Sequence, residues 1–310
     1  MTTRWPPSAP VFANPPASTP SSSLPSLCFR LVTTISGPAY VYEIEAARQR
    51  REDRLRGEQS WFNVVGLHWL AQGTSTLGSD PANDVVLPGG PPVVGAIDVR
   101  DGTASLRATS PEATVDGEHA GRRTLVPDTE PNTTFVSVGR VRFHLIVRGG
   151  TLALRVVDLE SPARRSFAGL DYFAVDQRWR LEAAVSPPFP SREAFPSVLG
   201  GEALEQVAAV VSFLVDGQRF EILALQEEGS DGLFLIFGDL TNRESTYEAG
   251  RYLYTPPVVD GRVTVDFNLA LNPPCAFTHA ATCSLPPARN RLPIAITAGE
   301  RRYGGLLAGA

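Results

Sequence analysis

The chain contains no lysine: all 28 of its basic residues are arginine. A Schiff-base lysine, a lysine general base and the phosphate-gripping lysine of a P-loop are thereby excluded. Arginine-biased codon usage explains this absence more simply than functional selection does. Histidine is sparse, at 4 residues. No HExxH, HxH or GxSxG motif occurs, which removes the usual zinc-hydrolase and serine-hydrolase signatures, and Gly-rich phosphate loops are missing too. No uninterrupted apolar run reaches the ~18 residues that a bilayer-spanning helix requires. With 3 Cys in 310 residues, a disulfide scaffold is disfavoured and a reducing, cytoplasmic setting is expected. The balance of 28 basic against 33 acidic residues, net −5, offers no general attraction to nucleic acid or anionic membranes. Neither partner is expected, and no cofactor.

What is present is a mainly β chain with ample apolar content. Residues 1–38 are rich in Pro, Ser and Thr and lack both the basic start and the apolar core of a secretory signal, so a disordered leader is expected there. From Val41 to Arg56 good helix formers run without Gly or Pro, and Gly57 stands as a stop. The apolar stripe of this segment, Val41, Ile44, Ala47 and Leu55, is thin, which predicts a surface helix packing through one narrow edge. Beyond it strand signals dominate: Thr134–Val138, Val141–Val147, Leu152–Val157, Val207–Val215, Phe220–Leu225 and Leu233–Phe237. Asp-Gly pairs at 101–102, 116–117, 216–217, 231–232 and 260–261 mark tight hairpin turns and hence antiparallel sheet. Prolines 187, 188, 190 and 196 and the Gly200-Gly201 pair place a module junction between Ser186 and Gly201. Two antiparallel β modules are expected, 39–190 sandwich-like with the helix and 191–310 a meander or barrel.

In the first module the order Leu77-Gly78-Ser79-Asp80, Asn83-Asp84-Val85, Gly95-Ala96-Ile97, Val115-Asp116-Gly117 and Val138-Gly139-Arg140 resembles the skeleton of a forkhead-associated β-sandwich. That family grips phosphate with an Arg after the first Gly and a Ser in a later loop. Here Ser79 and Asp80 follow the Gly and Gly95-Ala96-Ile97 replaces the loop, so the resemblance implies the fold without phosphopeptide binding. His68, His119 and His144 read as ordinary surface or half-buried residues. Trp61 and Trp69 read as core side chains rather than a stacking platform.

The most distinctive stretch runs from Asp266 to Pro287. From Val263 to Asn272 the residues alternate, with Val263, Val265, Phe267, Leu269 and Leu271 on one face and Thr264, Asp266, Asn268, Ala270 and Asn272 on the other. Asp and Asn are disfavoured in strands, and such rule-breaking concentrates at functional or turn-forming positions. Asn272-Pro273-Pro274-Cys275-Ala276-Phe277, Thr282-Cys283-Ser284-Leu285-Pro286-Pro287, Asn290 and Ala298-Gly299-Glu300 follow. Together with Asp266-Phe267-Asn268, Asp239-Leu240-Thr241 and Tyr247 to Leu253, these motifs resemble a bacterial and archaeal domain-of-unknown-function family, number 1684, over roughly Arg48 to Tyr303. The resemblance implies membership and no activity.

Cys275, His279 and Cys283 stand at i, i+4 and i+8. On a helix the outer Cα atoms would lie about 12 Å apart, too far for one tetrahedral ion, so no metal site is expected. Packed free thiols lead the remaining readings, followed by a disulfide or redox pair and a reactive thiol. Arg251 could face the Asp266 ridge, either fastening the sheet or completing a pocket. The expected ligand-binding set is Arg251, Asp266, Asn268, Asn272, Cys275 and Cys283, holding a small polar ligand or a protein partner. The alternative is an enzyme in which Asp266 is the general acid or base, or Cys275 the nucleophile.

Overall fold

The structure is a computed structural model and describes residues 37–309. The leader expected over residues 1–38 lies, save for Gly37 and Pro38, outside the described residues. Helix α1 (Pro38–Arg56) begins three residues before Val41, because Pro38 is pre-set for a first helical turn. At its end the Gly57 N–H donates to Arg54 O at 3.2 Å. The helix does pack through a narrow edge, but that edge is Tyr40, Ile44, Arg48 and Leu55, while Val41 points to solvent.

The first module is a sandwich. One sheet runs in the order 85–86, 73–78, 95–100, 103–108, 122–124, and the other 64–69, 151–158, 141–148, 135–138, 113–115, 118–119. Among the described residues of these two sheets, only strands 73–78 and 85–86 pair in parallel. Leu77, Ile97 and Leu106 from one sheet meet Val136, Phe143, Leu145, Leu154 and Val156 from the other in a single core. Period-two alternation then sends His144 and Arg155, which are cross-strand neighbours, to the outer face of the second sheet. That face is covered too: His144 and Arg155 are both buried. Where the forkhead-associated pattern would carry its phosphate-gripping Arg, Ser79 Oγ donates to Gly90 O at 2.8 Å and Asp80 accepts from Ala82 N–H, so both side chains serve the turn itself.

The second module is one nearly closed antiparallel sheet in the order 251–257, 232–237, 218–225, 209–215, 180–186, 262–266. Its ends are drawn together where Tyr252 and Leu271 exchange both backbone hydrogen bonds at 2.9 Å. Phe267 sits at the centre, edge-on to Trp179, Phe213 and Phe237. Strand Arg180–Ser186 pairs with both 209–215 and 262–266, so the two large sheets part between Asp158 and Arg180, ahead of the proline cluster. Pro187, Pro188 and Pro190 instead precede a separate small hairpin, 192–196 with 202–206, and Pro196 ends its first strand.

Four of the Asp-Gly pairs, at 101, 116, 216 and 260, adopt the paired positive φ angles of a tight turn. Asp231-Gly232 does not. Gly232 enters a strand, where a Cβ would collide with the Thr255 carbonyl. Trp69 is 46% exposed rather than core, whereas Trp61 packs at the seam between the modules.

The His144 ring packs against Phe135 with centroids 4.9 Å apart and planes tilted by 47°. Burial, then the neighbouring Arg155, pushes its imidazole down from 6.5 to about 3. The unfolded chain therefore takes up this proton first on acidification, and stability falls as pH drops from about 6.5 towards 3. Between pH 7 and pH 5 the wild-type chain should lose about 2 kcal/mol more than a His144→Phe variant. Urea midpoints at the two pH values measure this, and equal losses in both chains would refute it.

Candidate functional site

The expected ten-residue strand is in fact a short one, Arg262–Asp266, followed by a 3-10 turn at Phe267–Leu269. Asp266 ends the strand because its carboxylate accepts the Asn268 N–H at 3.1 Å, the local competition that makes Asp a strand breaker. The alternation consequently slips after Phe267: Ala270 and Asn272 turn inward, while Leu269 and Leu271 are partly exposed. Tyr40 of the helix shares its hydroxyl proton between the two Asp266 oxygens, at 2.9 and 2.8 Å, and accepts from Asn268 Nδ2 at 2.9 Å. Asn268 also donates to Asp176 O, and its own carbonyl accepts the Asp176 N–H. Arg180 lies 3.6 Å from Asp266 and over the Tyr40 ring. Burial pushes the Asp266 carboxyl and the Tyr40 phenol above their ordinary values. Both Asp266 oxygens are engaged, so the group works here as the anchor that fastens the helix to the barrel.

Arg251 is elsewhere. It is completely buried and pairs with Asp239 at 2.6 Å, donates to the carbonyls of Ile296 and Ala298, and lies over the Phe237 ring. Asp239 in turn accepts from the Thr241 N–H and hydroxyl. No hydrogen bond or ion pair joins Arg251 to Asp266 among the described residues. Asn272 belongs to a third group: its N–H donates to Glu300 at 2.7 Å, and Arg51 of the helix bridges Glu300 and the Asn272 carbonyl. Tyr40, Asp239 and Glu300 were not among the expected site residues. Asp239 and Glu300 did lie in the quoted motifs, and each proves to be the acid that a signature residue needs.

The thiols form a fourth group. The chain turns once through Pro274–Ala276 and loops back, so that the Cys275 N–H donates to Cys283 Sγ at 3.2 Å. Both are free thiols, buried with Phe195, Phe234, Ile236 and Tyr252. The Cys283 thiol eases Cys275 below its ordinary pKa, with help from Tyr247, while burial drives Cys283 up. The groups that act on Cys275 are therefore a thiol and a phenol, and His279 is exposed on the loop. Among the described residues no cluster of His, Cys, Asp and Glu could hold a metal ion.

One residue from Cys283, a different arrangement appears. Thr282 Oγ1 accepts from Arg148 Nε at 3.2 Å and from Arg155 Nη2 at 3.2 Å, so two guanidiniums of the first module converge on one oxygen of the signature loop. Arg148 is neutralised by a two-pronged pair with Asp128, at 2.7 and 3.1 Å. Arg155 has no such partner. It is 4% exposed, lies over the Trp61 ring, has no carboxylate within 4.0 Å among the described residues, and its Nε is buried without a hydrogen bond. Burial, then Arg148, pulls its pKa down to about 10, which leaves it cationic at neutral pH.

The buried pairs are framework, and their removal should register as lost stability. Arg251→Met strands Asp239 in the barrel and is expected to cost about 3–5 kcal/mol. Tyr40→Phe strips one hydroxyl from Asp266 and is expected to cost about 1–3 kcal/mol. Denaturant unfolding measures both, and a loss under about 1 kcal/mol for Arg251→Met would contradict a framework role.

Residues 165–301 match the model of a family described as Protein of unknown function (DUF1684). Among solved structures, an uncharacterized protein from gene locus rrnAC0354 of Haloarcula marismortui, determined by NMR in solution, is 35% identical. The match covers 45% of this chain and 80% of that one, with a TM-score of 0.38. No curated protein matches. The matched region holds Asp239, Arg251, Asp266, the thiol loop and Glu300, the interlocking residues just described, so it is residues 165–301 of the chain that carry the match to the DUF1684 family of proteins of unknown function.

Proposed function

We propose that this chain is a binding protein for a small anionic molecule, held at the seam where Thr282 meets Arg148 and Arg155. The observation that carries the reading is Arg155, a buried cation with no carboxylate of its own: a buried charge without a direct partner is strongly unfavourable, and the one carboxylate that favours its charge, Asp128, makes its two-pronged pair with Arg148. The Thr282 hydroxyl occupies the place between two guanidinium donors that a ligand oxygen would take. A carboxylate or phosphate there would receive charge-assisted hydrogen bonds and supply the missing counter-charge. Arg148 and Thr282 are only partly buried, which gives a small anion its approach. We place the protein in the cytoplasm, where the adjacent free thiols Cys275 and Cys283 stay reduced. Nucleic acid and membranes are not proposed as partners: the chain carries net −5, and among the described residues no helix is long and apolar enough to cross a bilayer.

Thermal unfolding at constant ionic strength with added inorganic phosphate, acetate or citrate tests this. At least one anion should raise Tm along a saturating curve, worth about 2.7 kcal/mol at a hundredfold excess over Kd. Arg155→Met should abolish that response while leaving the anion-free protein as stable or more so, because it removes an uncompensated buried charge. Thr282→Val should weaken the response. A saturating response that survives Arg155→Met, or none from any of the three anions, would overturn the proposal.

A further inference from the structure

Strand Gln218–Leu225 has a free edge inside the nearly closed sheet. It pairs with 209–215 along its whole length, from Val215 opposite Gln218 to Ala209 opposite Ala224. On its other side it meets strand 232–237 only at Ala224 and Leu225. The hairpin turn at Asp216-Gly217, with φ of 50 and 79°, is the two-residue type that makes Val215 and Gln218 a hydrogen-bonded pair. Hydrogen bonding then alternates, so Arg219, Glu221 and Leu223 turn their N–H and C=O groups away from 209–215.

The protein itself shows that this edge accepts a partner. The Asn290 carboxamide takes the N–H of Leu223 at 2.8 Å and donates to its C=O at 2.9 Å, standing in for one residue of a missing strand. Asn290 is held in place by a further bond to Ile236 O, and its backbone carbonyl accepts the Gly238 N–H. Beyond it, no backbone hydrogen bond of Arg219 or Glu221 faces outward among the described residues. Between this edge and residues 289–293 runs a groove of about 340 Å³. Its charged lining is Arg219, Arg289 and Arg291 against Glu221, and Glu221 is already paired with Arg219 at 3.0 Å.

We propose that this groove takes an extended acidic peptide of a partner protein as an added strand, continuing the pairing that Asn290 begins. Main-chain hydrogen bonds to Arg219 and Glu221 would supply affinity, and Arg289 and Arg291 would select acidic side chains. The charge balance also sets the occupant: a second copy of a chain with net −5 brings like overall charge, whereas a short acidic segment meets a locally basic groove.

The test uses a fluorescein-labelled Asp-Val-Asp-Val-Asp-Val peptide and the full chain, read by fluorescence anisotropy. Binding is expected at micromolar to millimolar concentration. The same peptide N-methylated at alternate residues, which cannot complete the ladder, should bind at least tenfold more weakly, and so should a Lys-for-Asp peptide. Arg289→Glu and Arg291→Glu, both at exposed positions, should each weaken binding severalfold. Amide exchange at Arg219 and Glu221 should slow when the peptide is present. The proposal falls if no anisotropy change appears up to millimolar chain, if N-methylation makes no difference, or if sedimentation shows a second copy occupying the edge. These outcomes are independent of the anion response, which reads a different site.

Discussion

The Arg251–Asp239 pair sets the geometry on which the rest of the second module depends. A guanidinium with no solvent exposure must find its partners inside the protein, and the two Nη groups of Arg251 find them in one carboxylate and the carbonyls of Ile296 and Ala298. That requirement draws residues 296–298 onto the barrel. Gly299 follows with φ at +78°, packed so tightly that a Cβ would strike the Ala270 carbonyl. Glu300 is thereby delivered to the Asn272 N–H and to Arg51 of the helix. One buried charge thus propagates through a glycine to a second ion pair, and that pair joins the N-terminal helix to the barrel. Asp266 and Tyr40 make the same joint at the opposite end of the helix.

These dependencies explain which features were legible in the sequence. The strands and turns were, because they follow from local pattern: Val141–Arg148 and Thr151–Asp158 fall where β-branched runs predicted them, and four Asp-Gly pairs make their turns. The polar signature was legible as unusual but not as framework. Alternation put Asp266, Asn268 and Asn272 on one ridge, yet Asp266 capped its own strand and broke the period, and Asn272 found its partner in Glu300, 28 residues away. Arg251 was expected to face the Asp266 ridge because it follows an acidic loop and opens an alternating run with Tyr252 and Tyr254. Arg251 and Asp266 each have instead a counter-charge that no periodicity reveals.

Arg155 was missed for a complementary reason. It stands among Ala153, Leu154, Val156 and Val157, a run apolar on both sides. Such a run marks a strand covered on both faces, and a charge inside it has to be buried. That signal was present in the sequence. What was absent was the cover itself, since the loop carrying Thr282 comes from the other module, 127 residues further on.

The two proposed sites share a physical logic that the signature residues lack. Asp266, Asn268, Arg251 and Glu300 are expensive groups to bury, and each is matched within the chain, so their conspicuousness reflects construction rather than chemistry. Arg155 is equally expensive and, unlike Arg251, has no carboxylate within 4.0 Å among the described residues, and the outer edge at Arg219 and Glu221 is a hydrogen-bonding row that the fold begins to fill with Asn290 and then leaves open. A folded chain tolerates such unmatched capacity only where stability elsewhere offsets it, and the apolar core of the barrel around Phe213, Phe237 and Phe267 is that reserve. In this protein the strongest motif therefore identifies the frame, and the unbalanced groups beside it identify where a ligand and a partner would act.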